Sequence, residues 1–182
     1  MIRSAFLIGA VVSRLMAFTP FIIDGPSMEP TLHSGDFIVL DSVAYKQAEP
    51  ARGDVVVFSF EKEPLYFYVK RIVGLPGERV HVTSDGIYFE AADGAKKELL
   101  EPYLVHAQGE DPANGAENPA GGENAKNFAL RGFKDQIFVV PSGKYLLLGD
   151  NRSHSLDSRS FIYPFIAKDR VKGKYVFTIK GL

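Results

Sequence analysis

The sequence predicts a mostly β protein: a folded-over antiparallel β-sheet core with a smaller inserted β lobe, preceded by a short apolar N-terminal helix. From residue 36 onward, short runs of β-branched and aromatic residues recur. Glycine and proline separate nearly all of these runs. After the N-terminus, no long segment carries the apolar period of a helix. The 182 residues allow one sizeable core with an appended lobe.

The N-terminal segment, residues 1–20, has three interpretations. Residues 5–12 form a continuous apolar run, which Ser13 and Arg14 then interrupt. A removable signal peptide would need a small-x-small cleavage site after the run, and none follows. A buried helix is the second interpretation. The third is a short membrane anchor, although a spanning helix needs about 20 apolar residues. We expect residues 1–20 to be the anchor, with Arg3 on the cytoplasmic side and the rest of the chain outside.

The remaining residues, 21–182, are predicted to form one β domain. Residues 79–83 and 86–90 read as a hairpin, because Ser84 and Asp85 separate two alternating runs. A secondary lobe spans about residues 79–140. It contains a mobile loop, residues 107–127, because that stretch has almost no bulky apolar side chain. The other predicted strands are residues 36–41, 54–60, 66–74, 136–140, 145–148 and 174–179.

Composition and charge exclude several classes of function. Hydrophobic residues make up 46% and charged residues 24%, which is typical of a globular protein. A net charge of −1 without a basic stripe predicts no nucleic-acid partner. The absence of cysteine excludes disulfides, thiol nucleophiles and thiolate zinc sites. The four histidines lack metal-ligand spacing, so we predict no metal site and no cofactor.

Ser27 follows Gly25-Pro26 and precedes Pro30, a composition typical of a tight turn. In one interpretation the serine caps a short helical turn by accepting from free backbone amides. In the other it is a nucleophile with an exposed hydroxyl, and the neighbouring N–H groups stabilise an oxyanion. The stretch is not Gly-x-Ser-x-Gly, so it does not indicate the nucleophile elbow of the α/β-hydrolases.

Lys70 lies in an alternating strand and shares its face with Tyr68 and Ile72, while Arg71 projects to the opposite face. In one interpretation Lys70 is at a sheet edge, with its stem buried and its ammonium in water. In the other it is a buried neutral amine that acts as a general base. Lowering a lysine pKa from about 10.4 to about 8 costs roughly 3 kcal/mol against the charged form, and desolvation can supply this.

Serines, aspartates and arginines crowd into residues 149–159, just after an apolar strand. Such a loop is either a polar surface turn or a support that orients a catalytic side chain. Asp157 and Arg159 are spaced to pair and brace it.

Taken together, these stretches resemble the bacterial type I signal peptidases, a family of membrane-anchored serine–lysine endopeptidases. The matching blocks occur in the family's order: residues 25–32, 35–39, 52–58, 68–78 and 149–159. Five ordered blocks are far more specific than any single motif. The family normally has one or two full transmembrane helices before the serine block, so either this anchor is short or the chain begins late.

The resemblance implies roles for individual residues. Ser27 matches the nucleophile, Lys70 the general base, and Ser155 the serine that orients the lysine amine. The Ser27 N–H matches one oxyanion donor. Many members have a serine as second donor where this chain has Gly25, which leaves that role to backbone or water. Flanking candidates for substrate pockets are Phe21, Ile23, Met28, Leu32, Tyr68 and Val69. Candidates for structural support are Arg71, Asp150, Asp157 and Arg159. We also expect the Lys70 amine to lie about 3 Å from the hydroxyls of both Ser27 and Ser155.

The implied activity is cleavage of signal peptides from exported preproteins after a small-x-small motif. The implied partners are those preproteins and membrane lipid, and the implied location is the outer face of the bacterial cytoplasmic membrane, with a single-pass anchor. Two alternatives stay open. One is a related serine–lysine peptidase, specialised or self-cleaving; the self-cleaving repressors need a DNA-binding domain for which the sequence ahead of the core is too short. The other is a catalytically silent β module that binds exported peptides.

Overall fold

The computed structural model describes residues 17–83, 86–90, 94–104 and 135–179. They form β-strands and contain no α-helix, which confirms the mostly β prediction. The strands are β1 (Phe18–Ile22), β2 (Phe37–Asp41), β3 (Val55–Phe58), β4 (Tyr68–Gly74), β5 (Arg79–Val82), β6 (Ile87–Glu90), β7 (Lys96–Glu98), β8 (Gln136–Val139), β9 (Lys144–Leu148), β10 (Phe165–Ala167) and β11 (Val171–Ile179).

The larger sheet has seven strands in the order β1-β2-β11-β3-β4-β9-β10, and its neighbours run antiparallel. Its centre is apolar on both faces. In β3, Val55 and Val57 belong to one hydrophobic cluster, and Val56 and Phe58 belong to another. An uninterrupted apolar run suits such a strand, because both of its faces are covered. The adjacent strand β4, which carries Lys70, therefore lies against this apolar centre.

The smaller sheet, in the order β7-β6-β5-β8, is an insertion between β4 and β9. These two strands are neighbours in the larger sheet, so the insertion leaves and returns at the same place. The entering and returning chains are hydrogen-bonded there: the Gly77 N–H donates to the Val140 carbonyl at 2.9 Å, and the Val140 N–H donates to the Glu78 carbonyl at 2.8 Å. One cluster joins the two sheets: Val73, Val80, Val82, Ile87, Val140, Leu146 and Leu148.

The strand predictions agree with the structure in the middle of the chain and differ at its ends. The predicted hairpin is β5 paired antiparallel with β6. β1 begins at Phe18, so the sheet includes the last three residues of the segment assigned to the anchor. β1 pairs with β2, and the paired residues include those that had been assigned to the apolar N-terminal segment. β7 and β10 were also missed, because three-residue strands carry no readable alternation.

Two further predictions fall wholly or mostly outside the described residues: the apolar N-terminal helix of the segment 1–20, of which residues 1–16 are not described, and the loop of residues 107–127. Within the described ranges, we find no helix with the length and apolar content needed to cross a bilayer.

Candidate active site

Ser27 stands on a turn between β1 and β2. The turn is closed at its base, because the Ile23 N–H donates to the Asp36 carbonyl at 2.9 Å and the Gly35 N–H donates back to the Ile23 carbonyl at 2.9 Å. Behind the serine, Met28 and Leu32 are fully buried and fix the turn to the core. The Ser27 hydroxyl meets Lys70 across the fold rather than capping the turn.

Lys70 lies in the interior strand β4, opposite Val56 of β3. Its Nζ is 2.7 Å from Ser27 Oγ, across 43 residues of sequence, and it also donates to the Val69 carbonyl at 2.7 Å. Only 4% of the residue is exposed, so it is not a lysine at a sheet edge. Burial lowers the pKa of Lys70 to about 8, although the nearby carboxylates of Asp157 and Asp150 act in the opposite direction. The amine is therefore suited to accept a proton near neutral pH.

Arg71, the next residue, holds the loop of residues 149–159 against β4. Its Nε donates to Asp150 Oδ1 at 2.8 Å and its Nη2 donates to Asp150 Oδ2 at 2.5 Å. The Thr31 hydroxyl donates to the same Oδ2 at 2.5 Å, which ties the serine turn to the pair. Asp150 is therefore the ion-pair partner of Arg71 and not of Lys70, whose amine is hydrogen-bonded to Ser27.

Asp157 and Arg159 brace the far side of the same loop. The Arg159 side chain donates to both Asp157 oxygens at 2.8 Å, and the Gly149 N–H donates to Asp157 Oδ2 at 3.0 Å. Burial by itself would raise the pKa of Asp157, but the hydrogen bonds and charge of Arg159 outweigh it and hold the pKa below its usual range. Both residues are buried, so this is not the weak surface pair that exposure would have implied.

Ser155 differs from its prediction. Its buried hydroxyl has no hydrogen-bond partner among the described residues, so the expected hydrogen bond with Lys70 is not formed here. The hydroxyl does approach the Asp157 carboxylate closely enough to contribute to that group's lowered pKa, but the contact lacks full hydrogen-bond geometry. Gly149 lies between Ser155 and the Ser27 carbonyl, and the Asn151 N–H donates to that carbonyl at 3.1 Å.

A cleft of about 330 Å³ opens over the Ser27–Lys70 pair. Of the six predicted pocket residues, four line it: Phe21, Ile23, Tyr68 and Val69. Additional lining residues that sequence reasoning missed include Asp24, Phe67, His154 and Leu156. A wider depression of about 440 Å³ is lined by Ser42 and three lysines. The Ser42 hydroxyl donates to the Ala17 carbonyl, and no lysine is hydrogen-bonded to it in the described part of the chain, so the smaller cleft is the better candidate.

The assignment of Met28 and Leu32 to the substrate pockets is corrected. Both have no exposed surface, and they pack behind the cleft wall in the same cluster as Ile23 and Val57. An apolar residue beside a nucleophile has the same sequence signature whether it faces the substrate or the core. Their role in this structure is to support the wall.

The two oxyanion candidates, Ser27 and Gly25, differ in whether their backbone N–H has an acceptor among the described residues. No described residue accepts a hydrogen bond from the Ser27 N–H, so this donor is available. Gly25 has a φ of +89°, which favours glycine, and its N–H donates to Ser34 Oγ at 3.2 Å. The Gly25 N–H is therefore already engaged.

Sequence reasoning missed two further contacts of the site, those of Thr31 and of the pair Arg152–Glu101. Thr31 and Arg152 lie within blocks that were singled out, and their polar side chains inside those blocks were the available signal. Glu101 lies in an irregular stretch of the lobe and carried no signal.

Comparison with known proteins identifies the family. The family model for "Signal peptidase, peptidase S26" matches residues 1–180. Signal peptidase IB of Staphylococcus aureus (strain COL) is 38% identical over 180 residues, which cover 97% of this chain and 84% of that protein. Signal peptidase I T of Bacillus subtilis (strain 168) is 35% identical over 170 residues, 92% of this chain and 78% of that protein. A crystal structure of a signal peptidase I from Enterococcus faecalis V583 matches with a TM-score of 0.48 and 26% identity, covering 70% of this chain and 97% of that one. Since the family model and the Staphylococcus and Bacillus relatives match nearly the whole chain, the protein belongs to the signal peptidase family, peptidase S26, and is a serine endopeptidase that cleaves signal peptides.

Proposed function

We propose that Ser27 is the nucleophile and Lys70 the general base of this peptidase. The observation that carries the assignment is the 2.7 Å separation between Lys70 Nζ and Ser27 Oγ at a lysine that is 4% exposed. A pKa of about 8 leaves about a tenth of the amine neutral at pH 7, against less than about a thousandth for an ordinary lysine. Burial therefore raises the reactive fraction by more than about a hundredfold.

In the first half of the reaction, Ser27 Oγ attacks the scissile carbonyl carbon while neutral Lys70 takes the hydroxyl proton. The new C–O bond places negative charge on the carbonyl oxygen, which accepts from the Ser27 N–H. The C–N bond then breaks, and the Lys70 ammonium gives its proton to the leaving amine. In the second half, Lys70 takes a proton from the water that attacks the acyl-enzyme, and returns it to Ser27 Oγ as the ester C–O bond breaks. A second oxyanion donor comes from water or another backbone group, because the Gly25 N–H is engaged with Ser34.

Ser155 keeps its proposed role as the group that orients the lysine. A charged lysine has three N–H donors, of which the neighbouring Val69 carbonyl and Ser27 hydroxyl account for two. A buried hydroxyl without a partner is unusual and calls for one. In this proposal, the Ser155 side chain rotates and its hydroxyl accepts a hydrogen bond from the third N–H of protonated Lys70. Arg71, Asp150, Asp157 and Arg159 are proposed to hold the surrounding loop.

The substrate is a preprotein with small side chains one and three positions before the cleavage site. The cleft wall supports this, because Phe21 packs edge-on against Phe67 with ring centroids 5.3 Å apart. Tyr68 and Val69 line the same cleft beside the nucleophile. Rigid rings leave shallow pockets that exclude larger side chains by steric clash, a stronger filter than attraction to a methyl group.

We place the peptidase domain at the outer face of the cytoplasmic membrane, in contact with lipid and anchored by the N-terminal segment. Three exposed large apolar side chains, Ile22, Phe67 and Leu156, line the cleft. Five more are exposed on the segments next to it: Phe18 on β1, Leu65 and Tyr66 before Phe67, and Ile162 and Tyr163 after Phe161, whose ring contacts Tyr68. We call this set the apolar rim. Leu65 is 85% exposed and Ile162 is 90% exposed. A group of such exposed apolar side chains is typical of an interaction surface. A bilayer surface covers such a rim and presents the signal peptide to the cleft.

The lipid proposal has its own test, cleavage of the same preprotein in vesicles and in detergent. The double variant Leu65→Ser, Ile162→Ser should lose activity in vesicles and keep it in detergent. Ile137→Ser is the matched control, since Ile137 is also exposed but lies on β8 of the lobe. Equal activity of the rim variant and the control in vesicles would count against lipid contact.

The dyad is tested with Ser27→Ala and Lys70→Met, incubated in detergent with a preprotein that carries an Ala-x-Ala site. Both should reduce cleavage by at least about a thousandfold, because the nucleophile and its base act as a unit. Ser142→Ala, in the exposed turn before β9, and Lys144→Met, at the exposed first residue of β9, are the matched controls and should cleave normally. Cleavage that survives in both dyad variants would refute the assignment.

A further inference from the structure

A buried ion pair joins the secondary lobe to the loop of residues 149–159. Glu101 follows β7 in the lobe, and Arg152 lies in the loop; they are 6% and 1% exposed. The Arg152 Nη1 donates to Glu101 Oε2 at 3.0 Å, and its Nη2 donates to Glu101 Oε1. The Tyr103 hydroxyl donates to the same Oε1 at 2.5 Å. Three donors, two from Arg152 and one from Tyr103, therefore converge on the two carboxylate oxygens of Glu101.

Arg152 connects this carboxylate to both ends of the loop. Its Nε donates to the Gly149 carbonyl at 2.9 Å, where the loop leaves β9. Its own carbonyl accepts from Arg159 Nη2 at 2.7 Å, near the point where the loop ends. The loop in turn contacts the nucleophile, through the Asn151 N–H on the Ser27 carbonyl. Asn151, the residue before Arg152, therefore links the loop directly to the Ser27 backbone.

Tyr103 makes a second contact between the lobe and the active-site scaffold. The Arg71 guanidinium carbon lies 3.8 Å from the centroid of the Tyr103 ring. Burial and the charge of Glu101 raise the pKa of Tyr103, so its hydroxyl stays protonated and keeps donating to Glu101. Arg71 is the residue after Lys70 and the partner of Asp150. Lobe residues thus contact two of the three arginines that fix the loop, Arg71 and Arg152.

We infer that Glu101 is a positioning residue for catalysis, through which the secondary lobe holds the loop of residues 149–159 over the Ser27–Lys70 pair. The inference rests on the proposed dyad. Without the carboxylate, a fully buried guanidinium has lost its counter-charge, and the loop must open to let water reach it. An open loop also admits water to Lys70 and shifts the Ser27 turn. The lobe is in this way part of the catalytic scaffold rather than an appendage.

The test variant is Glu101→Gln, which keeps the side-chain shape and removes the charge. We expect kcat/KM for a preprotein to fall about tenfold or more through kcat, because the loop aligns the reacting groups and does not form most of the cleft. The pH midpoint of kcat/KM should move upward. Burial, the largest influence on Lys70, is relieved when water enters, and this raises its pKa; departure of Asp157 and Asp150 with the loop only partly offsets the change. Glu101→Asp restores the charge and should return the midpoint toward wild type.

A second measurement separates local opening from unfolding. In the inactive Ser27→Ala background, amide hydrogen exchange of Gly149, Asn151 and Ser158 reports the loop, since their N–H groups are bonded to Asp157, Ser27 and Leu147. Glu101→Gln should speed exchange there and leave β3 and β4 protected. Glu90→Gln is the matched control: it removes a lobe carboxylate that pairs with His81 and Arg79, away from the loop. It should change neither exchange nor the pH midpoint.

The inference is overturned if Glu101→Gln keeps wild-type kcat/KM, if Glu90→Gln has an equal effect, or if activity falls without faster exchange in the loop. The dyad controls keep the two proposals apart. If Ser27→Ala and Lys70→Met are inactive while Glu101→Gln matches wild type, only the positioning role fails. If the dyad variants remain active, the proposed function itself fails.

Discussion

We expect the addition of a single methyl group at Gly149 to cause a large loss of activity. A Cβ added there would lie 2.5 Å from the Ser155 Cβ, and closer still to the Ser155 hydroxyl and the Ser27 carbonyl oxygen. Carbon atoms pack favourably at about 3.5–4.0 Å, so Gly149→Ala requires a displacement of on the order of 1 Å. The obstacle is partly the backbone of the nucleophile, which cannot rotate away as a side chain can.

The expected cost has two parts. Forcing a methyl group into a packed site destabilises a fold by about 1–3 kcal/mol. A shift of about 1 Å at the reacting groups lowers kcat/KM by about a hundredfold, or roughly 2.7 kcal/mol of transition-state stabilisation. The activity loss should therefore exceed what the change in stability explains at a temperature where the variant is folded.

The assay is kcat/KM on a preprotein together with a thermal midpoint, for Gly149→Ala and for Gly86→Ala. Gly86 is the matched control, because a Cβ there meets only the Tyr88 ring, at 3.4–3.5 Å, which is ordinary contact. The reasoning is refuted if Gly149→Ala keeps kcat/KM within about threefold of wild type at an unchanged midpoint, or if Gly86→Ala loses as much activity.

Other predictions follow from the same site. Activity should rise about tenfold per pH unit below pH 8 and level off above it, because only the neutral Lys70 amine, whose pKa is about 8, can take the proton; a flat pH–rate profile would contradict a lysine base. Asp150→Asn leaves the buried Arg71 without its charge partner, so we expect a loss of about 3–5 kcal/mol in unfolding free energy by urea titration, and a loss below about 1 kcal/mol would exclude a tight pair. Met28→Ala opens a cavity behind the cleft wall and should cost about 2–5 kcal/mol in the same titration; a midpoint shift near zero would return Met28 to the exposed surface.

Ser27 and Lys70 could be chosen as candidates because each stands out within its own short stretch of sequence, and the structure brings the two side chains together. Ser27 stands in a turn that Gly25 and Pro30 mark, and Lys70 interrupts an apolar strand, so each was recognisable within its own block. The five blocks, which occur in the order typical of the family, then supplied the specificity that single motifs lacked. The hairpin of β5 and β6 was readable for a similar reason, since the two strands alternate on either side of a short turn.

What could not be predicted depends on contacts between distant parts of the chain. The pairing of Glu101 with Arg152 spans 51 residues, and nothing near Glu101 indicates a partner. Met28 was assigned to the cleft and is buried, because apolar character does not distinguish a pocket wall from the core behind it. β1 was missed because its first three residues, 18–20, were assigned to the N-terminal anchor segment.

The closed neck of the lobe has a consequence for how members of this architecture can differ. The chain enters at Gly77 and returns at Val140, and these two positions are hydrogen-bonded to each other. Residues added or removed beyond the neck need not change the register of β4 against β9, and the entropic cost of a longer loop grows only slowly with its length. The lobe can therefore be lengthened, shortened or exchanged as a module while Lys70 stays in place. By this reasoning, the residues that an exchanged lobe must retain are few: a carboxylate that reaches Arg152 and an aromatic ring under Arg71.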